Sequence, residues 1–265
     1  YLAGNDVDRA DDLNRCIENP DIQGILCARG GYGSMRILDR VNYDSIRENP
    51  KVVMGFSDVT ALLLSIYRRT GLVTFHGPMP AGPHLSDWSF DILLRQITGT
   101  IRTGVPLVPP AETGSGTACF LNPPVAVVTE PILGGCLSIL STLSGTPWEP
   151  ADQAFILFLE DIGEAPYRID RMLTHMIHTR WIRSCRGIVL GDFIACDQRP
   201  DDPEPTPTVT EVLRERLQHL SLPVLKGFPV GHGVHNFTIP LGIPFSIRGD
   251  TLIQEESGVE SLRRG

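Results

Sequence analysis

The sequence predicts an α/β fold built around a parallel sheet, and three observations lead to that prediction. Two segments, residues 22–38 and 52–67, each pass from an apolar strand through a glycine turn into a helical pattern. A third run, residues 154–160, is apolar until its final carboxylate, as expected for a strand buried on both faces. Repeated βα units imply parallel strands whose carboxyl ends form a ligand crevice.

The first hundred residues alternate between helices and short strands. Residues 6–18 carry apolar side chains at helical spacing, with Asp6 as a candidate cap. The other predicted elements in this part are strand 22–28, a helix beginning over 34–38, strand 52–54 with its helix to residue 67, strand 73–76 and helix 89–100.

The second half contains the longer apolar runs. Residues 104–131 are rich in proline and glycine, which indicates a crossover between two domains, with extended strand over 125–129. Paired glycines open a predicted helix over 134–143. The remaining predictions are strand 154–160, helix 167–180, strand 187–190, surface loop 196–210, helix 211–220, strand 224–228, a turn over 231–236, and short strands within 239–247 and 251–254.

Composition excludes several classes of protein. The 265-residue chain has a formal net charge of −8 and no block of basic residues, which argues against nucleic acid or anionic membranes as partners. No apolar run approaches the roughly 20 residues of a membrane helix. The six cysteines show no C-x-x-C spacing, so we expect thiols in a reducing compartment and neither a disulfide framework nor a zinc site.

Ser57 follows the second strand in the sequence GFSD. A serine at a strand-to-helix turn matches a nucleophile elbow, which lifts the hydroxyl off the sheet and faces it with the N–H groups of the helix. The full pattern has a second glycine where Val59 stands here. The alternative is that Ser57 or Asp58 only caps the helix.

A nucleophilic serine needs a base, and seven histidines are available. His232 lies between two glycines at a predicted turn, where the backbone leaves room for a substrate. His235 follows three residues later; the pair could belong to a metal site, but no Asp, Glu or Cys nearby completes a ligand set. His175 and His178 lie on one predicted helix, where solvated or core histidines are expected. His76 ends a strand without any distinguishing pattern.

Glu160 is the best-placed carboxylate to orient such a base, because it emerges from a buried strand at the sheet edge. Asp161 is adjacent, and Glu164 lies in the next turn. The alternative is that Glu160 caps the following helix or pairs with Arg168 or Arg171. Spacing alone leaves both possibilities open.

The glycine turn at residues 29–33 also has two possible functions. As a phosphate cradle it fails the GxGxxG pattern, because Arg36 stands in place of the third glycine, and it lacks the Gly-Lys-Ser/Thr of a P-loop. As an oxyanion hole, a glycine N–H could approach a developing negative charge without a side chain in the way.

Together these segments resemble the LD-carboxypeptidase family of serine peptidases, which includes muropeptide LD-carboxypeptidases and microcin C immunity peptidases. The similarity covers nearly the whole chain, and the runs keep the family's order. The matching runs are YLAGNDVDRADDLN, GILCARGGYGSMRIL, VVMGFSDVTALL, GLVTFHGP, GGCLSIL, FLEDIGEAPYRIDRML and GHGVHNFTIPLG. Members of the family carry further residues before the segment that matches Tyr1, including the first strand of their sheet.

The resemblance implies a catalytic triad of Ser57 as nucleophile, Glu160 as orienting carboxylate and His232 as general base. It implies an oxyanion hole formed by the backbone N–H groups of Gly31 and Asp58, and neither a metal ion nor another cofactor. His235 falls outside the catalytic position.

The resemblance also implies an N-terminal parallel α/β domain of the doubly wound type and a C-terminal β-rich α/β domain, with the active site at their junction. The corresponding bounds are 1–103, a crossover over 104–130, and 131–265. Such proteins are cytoplasmic homodimers.

The expected reaction is hydrolysis of the amide between an L-centre and a terminal D-amino acid, with murein tetrapeptide as the substrate and D-alanine as the product. Arg29 and Arg168 are candidates to bind the substrate carboxylate. An immunity-type peptidase that cleaves a peptidyl-nucleotide is the alternative, with Trp148 or Trp181 as a stacking surface. A non-catalytic binding protein is a third possibility, and a phosphate-binding transferase is disfavoured by the failed nucleotide motifs. Cys136 departs from the family, which commonly has Asn at this position.

Overall fold

The computed structural model describes residues 1–82, 85–107, 119–122, 126–149, 153–197 and 206–259. Helices and strands alternate along the first part of the chain as predicted. Its elements are helix α1 (Asp6–Glu18), strand β1 (Gly24–Leu26), a 3₁₀ helix (Ser34–Arg40), α2 (Tyr43–Glu48), β2 (Val52–Gly55), a 3₁₀ turn (Ser57–Val59), α3 (Thr60–Thr70), β3 (Thr74–His76) and α4 (Asp87–Thr98).

The second part contains the longest strands. Its elements are β4 (Cys119–Asn122), β5 (Val128–Cys136), α5 (Leu137–Leu143), β6 (Phe155–Ile162), α6 (Pro166–Ile177), α7 (Arg180–Ser184), β7 (Cys185–Ile194), α8 (Val209–Leu217), β8 (Val224–Lys226), β9 (Ile239–Leu241), β10 (Pro244–Arg248) and β11 (Thr251–Gln254). Within the described ranges, no helix has the length and apolar character needed to cross a membrane.

The strands form two sheets that confirm the α/β prediction. The first has the order β1-β2-β3-β9, and the second has the order β11-β10-β5-β6-β7-β8-β4. The first three strands run parallel, as do β5 to β8. The C-terminal strand β9 joins the first sheet by pairing antiparallel with β3. The two halves of the chain therefore share a sheet.

One cluster of buried apolar side chains extends through both halves. It includes Val53 and Leu62 from the first part of the chain and Leu157 and Val189 from the second. Helix α3, which follows the Ser57 turn, packs against α5 and β5. Burial of this shared apolar surface fixes the two sheets relative to each other.

The helix predicted over 134–143 is confirmed only from Leu137 onward, and the prediction is wrong for the paired glycines. Strand β5 continues through both glycines, and α5 begins only at Leu137. A Cβ atom on Gly134 would overlap the carbonyl oxygen of Phe158, and one on Gly135 would lie 2.5 Å from Thr60 Cγ2. The glycines therefore permit close contact with β6 and with helix α3, and this contact is invisible to local periodicity.

Other differences concern the lengths of elements. The described strand β1 is shorter than the predicted 22–28, whereas β7 is longer than the predicted 187–190. The short helix α2 was not predicted. The predicted strand over 125–129 and loop over 196–210 fall partly outside the described residues.

Candidate active site

Ser57 occupies a strained turn at the end of β2. Phe56 is extended, with φ −155°, and Ser57 has φ 61°, a left-handed conformation that non-glycine residues rarely adopt. A Cβ atom on Gly55 would lie 2.7 Å from Val59 Cγ1, so this turn requires a glycine two residues before Ser57. The geometry is that of a nucleophile elbow, with the half-buried serine between strand and helix.

The alternative role of Ser57 or Asp58 as a helix cap does not match the hydrogen bonds. No side chain at the start of α3 makes a capping bond. Instead, Asp58 Oδ2 accepts a hydrogen bond of 2.8 Å from the backbone N–H of Ser34. This bond ties the Ser57 turn to the glycine turn at residues 29–33.

The glycine turn lies directly against the serine. A Cβ atom on Gly30 would be 2.8 Å from Ser57 Cβ and 3.0 Å from Ser57 Oγ. Gly31 has φ 120°, and its N–H makes no backbone hydrogen bond within the described ranges. The two predicted oxyanion donors, Gly31 and Asp58, thus belong to the two turns that meet at Ser57.

Glu160 and His232 form a hydrogen-bonded pair. His232 Nδ1 lies 2.7 Å from Glu160 Oε2; the Glu160 side chain is fully buried and that of His232 is 11% exposed. Gly231 has φ 119°, and a Cβ atom there would lie 2.5 Å from Glu160 Oε2. The N–H of Gly231 donates to Asn236 Oδ1 at 3.1 Å, which holds the histidine loop in place.

Phe56 connects this pair to the serine. Its ring centroid lies 4.7 Å from that of His232, and Phe56 is the residue before Ser57. Phe56, Met79, Gly231 and Gly233 also line one small pocket. The structure therefore brings the strand that carries Ser57 next to the loop that carries His232.

The electrostatics of the pair depend on burial. Burial raises the pKa of Glu160, and the hydrogen bond from His232 opposes that rise. The neighbouring carboxylates Asp161 and Asp192 raise it further. Burial alone raises the pKa of Asp192 to about 6.

The other roles considered for Glu160 are not observed. Arg168 Nη1 lies 3.4 Å from Glu164 Oε2, and Arg168 also donates to Tyr167 OH at 3.1 Å. Arg168 and Arg171 both lie over the Tyr167 ring. It is Asp161 that meets a helix start, by accepting a hydrogen bond from the N–H of Ser138 in α5 at 2.8 Å.

The remaining candidates lie elsewhere or have other partners. His235 Nδ1 lies 3.0 Å from Ser86 Oγ. Trp148 lines a separate cavity of about 350 Å³, and Trp181 is buried against Phe155. Cys136 is buried, with its Sγ 3.5 Å from Asp161 Oδ1. Among the described residues, no three His, Cys, Asp or Glu side chains are grouped as metal ligands.

Two residues near the pair were not selected from the sequence. Asp192 lies on β7, and its Oδ2 is so close to Gly233 that a Cβ there would overlap it. His76 is fully buried at the end of β3, with its ring centroid 5.9 Å from that of Phe56. A polar residue at a strand end was the only local signal for His76.

Comparison with known proteins finds one family over both parts of the chain. The N-terminal domain of LD-carboxypeptidase matches residues 1–77, and the C-terminal domain matches residues 130–247. A Streptomyces coelicolor protein named as a carboxypeptidase is 39% identical, over 95% of this chain and 77% of its own length. The murein tetrapeptide carboxypeptidase of Pseudomonas aeruginosa is 29% identical, over 95% of this chain and 81% of its own.

A solved structure extends the similarity to the fold. MccF in complex with glutamyl sulfamoyl guanosine superposes with a TM-score of 0.82 at 27% identity, covering 97% of this chain and 83% of the MccF chain. The two domain matches together span most of the chain and contain Ser57, Glu160 and His232. This protein belongs to the LD-carboxypeptidase family.

Proposed function

We propose that the protein is a serine carboxypeptidase in which Ser57 is the nucleophile, His232 the general base and Glu160 the group that orients His232. The observation that carries the proposal is the 2.7 Å contact between His232 Nδ1 and Glu160 Oε2, next to the strained Ser57 turn. Because Glu160 Oε2 accepts a hydrogen bond from Nδ1–H of His232, the proton stays on Nδ1 and the unprotonated Nε2 is free to take a proton from a hydroxyl.

The reaction proceeds through an acyl-enzyme. Ser57 Oγ bonds to the substrate carbonyl carbon while its proton moves to His232 Nε2. The N–H groups of Gly31 and Asp58 stabilise the oxyanion, each worth about 3–4 kcal/mol. The C–N bond then breaks, and His232 gives its proton to the leaving amine. Water, deprotonated by His232, finally hydrolyses the ester and regenerates Ser57.

The proposed substrate is a murein tetrapeptide, cleaved between an L-centre and its terminal D-alanine during cell-wall recycling. Similarity to the murein tetrapeptide carboxypeptidase supports this choice. The family's name describes the same bond type.

A carboxypeptidase must also bind a free carboxylate, and we assign this role to Arg29. Arg168, the other candidate, is already paired with Glu164 and Tyr167. Arg29 is exposed, has no hydrogen bond or ion pair in the described part of the chain, and precedes Gly30, which touches Ser57. An unpaired guanidinium can bind a carboxylate through two parallel hydrogen bonds.

An immunity-type peptidase acting on a peptidyl-nucleotide is the second candidate, favoured by the superposition on MccF. Its expected stacking residues do not support it, because Trp148 lies in a separate cavity and Trp181 in the core. A non-catalytic binding protein would not need the strained Ser57 conformation.

Mass spectrometry of both substrates decides between these candidates. Wild-type protein is incubated with murein tetrapeptide and, separately, with a peptidyl-nucleotide, beside Ser57→Ala. We expect loss of one alanine from the tetrapeptide with wild type only. Cleavage of the nucleotide substrate alone would establish the second candidate. If neither is cleaved and a serine-reactive phosphonate does not label Ser57, the non-catalytic alternative holds.

Three further proposals concern organisation. The division into residues 1–103 and 131–265 is testable by limited proteolysis within 104–130. The homodimer is testable by light scattering of the purified protein. The cytoplasmic location is testable by fractionation of cells that express the native gene.

A further inference from the structure

His76 is connected to the proposed catalytic base, His232, through the ring of Phe56. Its side chain is fully buried, and its ring centroid is 4.8 Å from that of Phe158 and 5.9 Å from that of Phe56. The Phe56 ring in turn lies 4.7 Å from His232. The four rings form a continuous series of edge-to-face and tilted contacts from β6 to the active site, and His76 is the fully buried polar member of this ring series.

Several polar atoms around this ring series have no hydrogen-bond partner among the described residues. They are both ring nitrogens of His76, Oε1 of Glu160 and Oγ1 of Thr238. Each such buried group costs free energy unless it is hydrogen-bonded. Their concentration at one place therefore indicates a shared partner.

The residues that carry these unpartnered atoms are neighbours in the fold. Phe158 and Glu160 are two residues apart on β6, so their side chains leave the same face of the strand. The His76 ring packs on Phe158, and Glu160 Oε2 contacts His232. Thr238 lies against Gly77, next to His76, since a Cβ atom on Gly77 would be 2.8 Å from Thr238 Oγ1.

We infer that His76 is a positioning residue, which holds a buried water molecule against Glu160 Oε1 and so fixes the carboxylate that orients His232. The inference rests on the proposed roles of Ser57, His232 and Glu160. Buried waters of this kind make about three hydrogen bonds to polar groups that would otherwise be unpaired. Glu160 Oε1, one His76 nitrogen and Thr238 Oγ1 supply that number.

The charge state of His76 suits this role. Burial, with a smaller effect from His232, lowers the pKa of His76 to about 3, so the ring is neutral at physiological pH. A neutral imidazole has one N–H donor and one acceptor nitrogen. It can orient a water molecule without adding a positive charge that would compete with His232 for Glu160.

The water would act on the protonation of Glu160. Its carboxylate is fully buried and faces His232, Asp161, Asp192 and the Cys136 thiol. Of these, His232 alone favours its ionised form, and the two carboxylates oppose it. A hydrogen bond donated to Oε1 favours the ionised form as well. Removing His76 should therefore raise the pKa of Glu160.

The test measures how fast a serine-reactive phosphonate labels Ser57 between pH 4 and 9, by intact mass, and it needs no knowledge of the substrate. We expect His76→Phe, which keeps an aromatic ring and loses both nitrogens, to move the acid limb of the profile upward by about one pH unit, the size of a hydrogen bond to a charged group. His76→Gln, which can both donate and accept, should restore most of the wild-type profile.

His235→Phe is the matched control, because His235 lies on the same loop as His232 and bonds to Ser86 instead. Its profile should follow that of wild type. Circular dichroism checks that His76→Phe is folded. If the folded variant keeps the acid limb of the wild-type labelling profile, His76 acts by packing alone and the inference is overturned.

A second test needs no variant. A high-resolution crystal structure of the wild-type protein should show a solvent peak about 2.6–3.2 Å from both Glu160 Oε1 and a His76 ring nitrogen. Failure to find that peak would overturn the inference even if His76→Phe does not fold. If the phosphonate does not label the wild-type protein, the result counts against the proposed role of Ser57 instead. The presence or absence of the solvent peak then decides the inference alone.

Discussion

His232 Nδ1 and Glu160 Oε2 lie 2.7 Å apart, although 72 residues separate them in the chain. Glu160 lies within strand β6, whereas His232 lies in a loop held by the left-handed Gly231 and by the hydrogen bond to Asn236. The contact therefore lets the buried carboxylate of the strand orient the imidazole ring of the loop. The geometry and electrostatics of the site as a whole lead to five predictions.

Glu160→Gln should lower kcat by about 10⁴-fold, because an amide at this position favours the wrong tautomer of His232. Steady-state hydrolysis of murein tetrapeptide measures the change. Glu215→Gln, an exposed carboxamide substitution on α8, serves as the control and should keep wild-type activity. Retention of a tenth or more of the activity by Glu160→Gln would exclude Glu160 as the orienting group.

Ser57→Ala and Ser57→Gly should both abolish activity, but they should differ in stability. Alanine retains the strain of φ 61°, whereas glycine adopts this conformation freely, so the glycine variant should be more stable by about 1 kcal/mol. Urea unfolding measures the difference. Thr142 is an exposed helical position in α5, so there Thr142→Ala should be more stable than Thr142→Gly, the reverse of the order expected at Ser57. The same order at both sites would mean that Ser57 is not strained.

Gly30→Ala should lower kcat by about 10- to 100-fold with little change in folding, because its methyl group would displace Ser57 Oγ. Hydrolysis and phosphonate labelling should fall together. Gly71→Ala is the control: it introduces a side chain at φ 75° where no atom lies within 4 Å, so it should reduce stability but not activity. If the folded Gly30→Ala variant is labelled at the wild-type rate, the added methyl group does not disturb Ser57 and the prediction is contradicted.

Asp192→Asn should stabilise the protein at pH 7.5 and have little effect at pH 3.5. The pKa of Asp192 is raised from 3.8 to about 6 by burial, so its contribution to stability is present below pH 3.8 and is lost as the pH rises through 6. Asparagine avoids that loss. Thermal unfolding across this range, with exposed Asp21→Asn as the control, measures the difference in Tm. A difference independent of pH would contradict the assigned cause.

Arg29→Gln should raise KM for a substrate with a free terminal carboxylate by about 10- to 100-fold, the effect of losing a charge-assisted bidentate contact. The terminal amide of the same peptide should be a poor substrate for wild type and variant alike. Arg168→Gln is the matched control, and its KM should stay near that of wild type. A larger effect from Arg168→Gln would reassign the carboxylate site.

Local sequence patterns were sufficient to predict the turn at Ser57 and the buried strand that carries Glu160. The sequence GFSD combines a glycine, a serine and a helical pattern within one turn, and the short distance between them makes the Ser57 geometry a local property. The apolar run before Glu160 likewise predicts a buried strand. Helices α1 and α3 follow from periodicity alone, whereas the six-residue α2 is too short to show a period.

Predictions failed where a distant segment decided the conformation. The glycine pair at 134 and 135 belongs to a strand because Phe158 and Thr60 lie against it, and neither is near in sequence. Similarly, strand β9 joins the first sheet through His76 and its neighbours in β3. Local patterns carry no information about which strand will be a neighbour.

The sequence by itself determined the α/β class, the turn that exposes Ser57 and, through its motifs, the family. Only the tertiary structure decided that Glu160 contacts His232, that Arg168 is already paired, and that His76 is buried and connected to the base through the ring of Phe56. The physical reason is the distance along the chain over which each kind of interaction acts. Dihedral preferences and periodicity act within a few residues, whereas burial, hydrogen bonding and pKa depend on segments that meet only when the core forms.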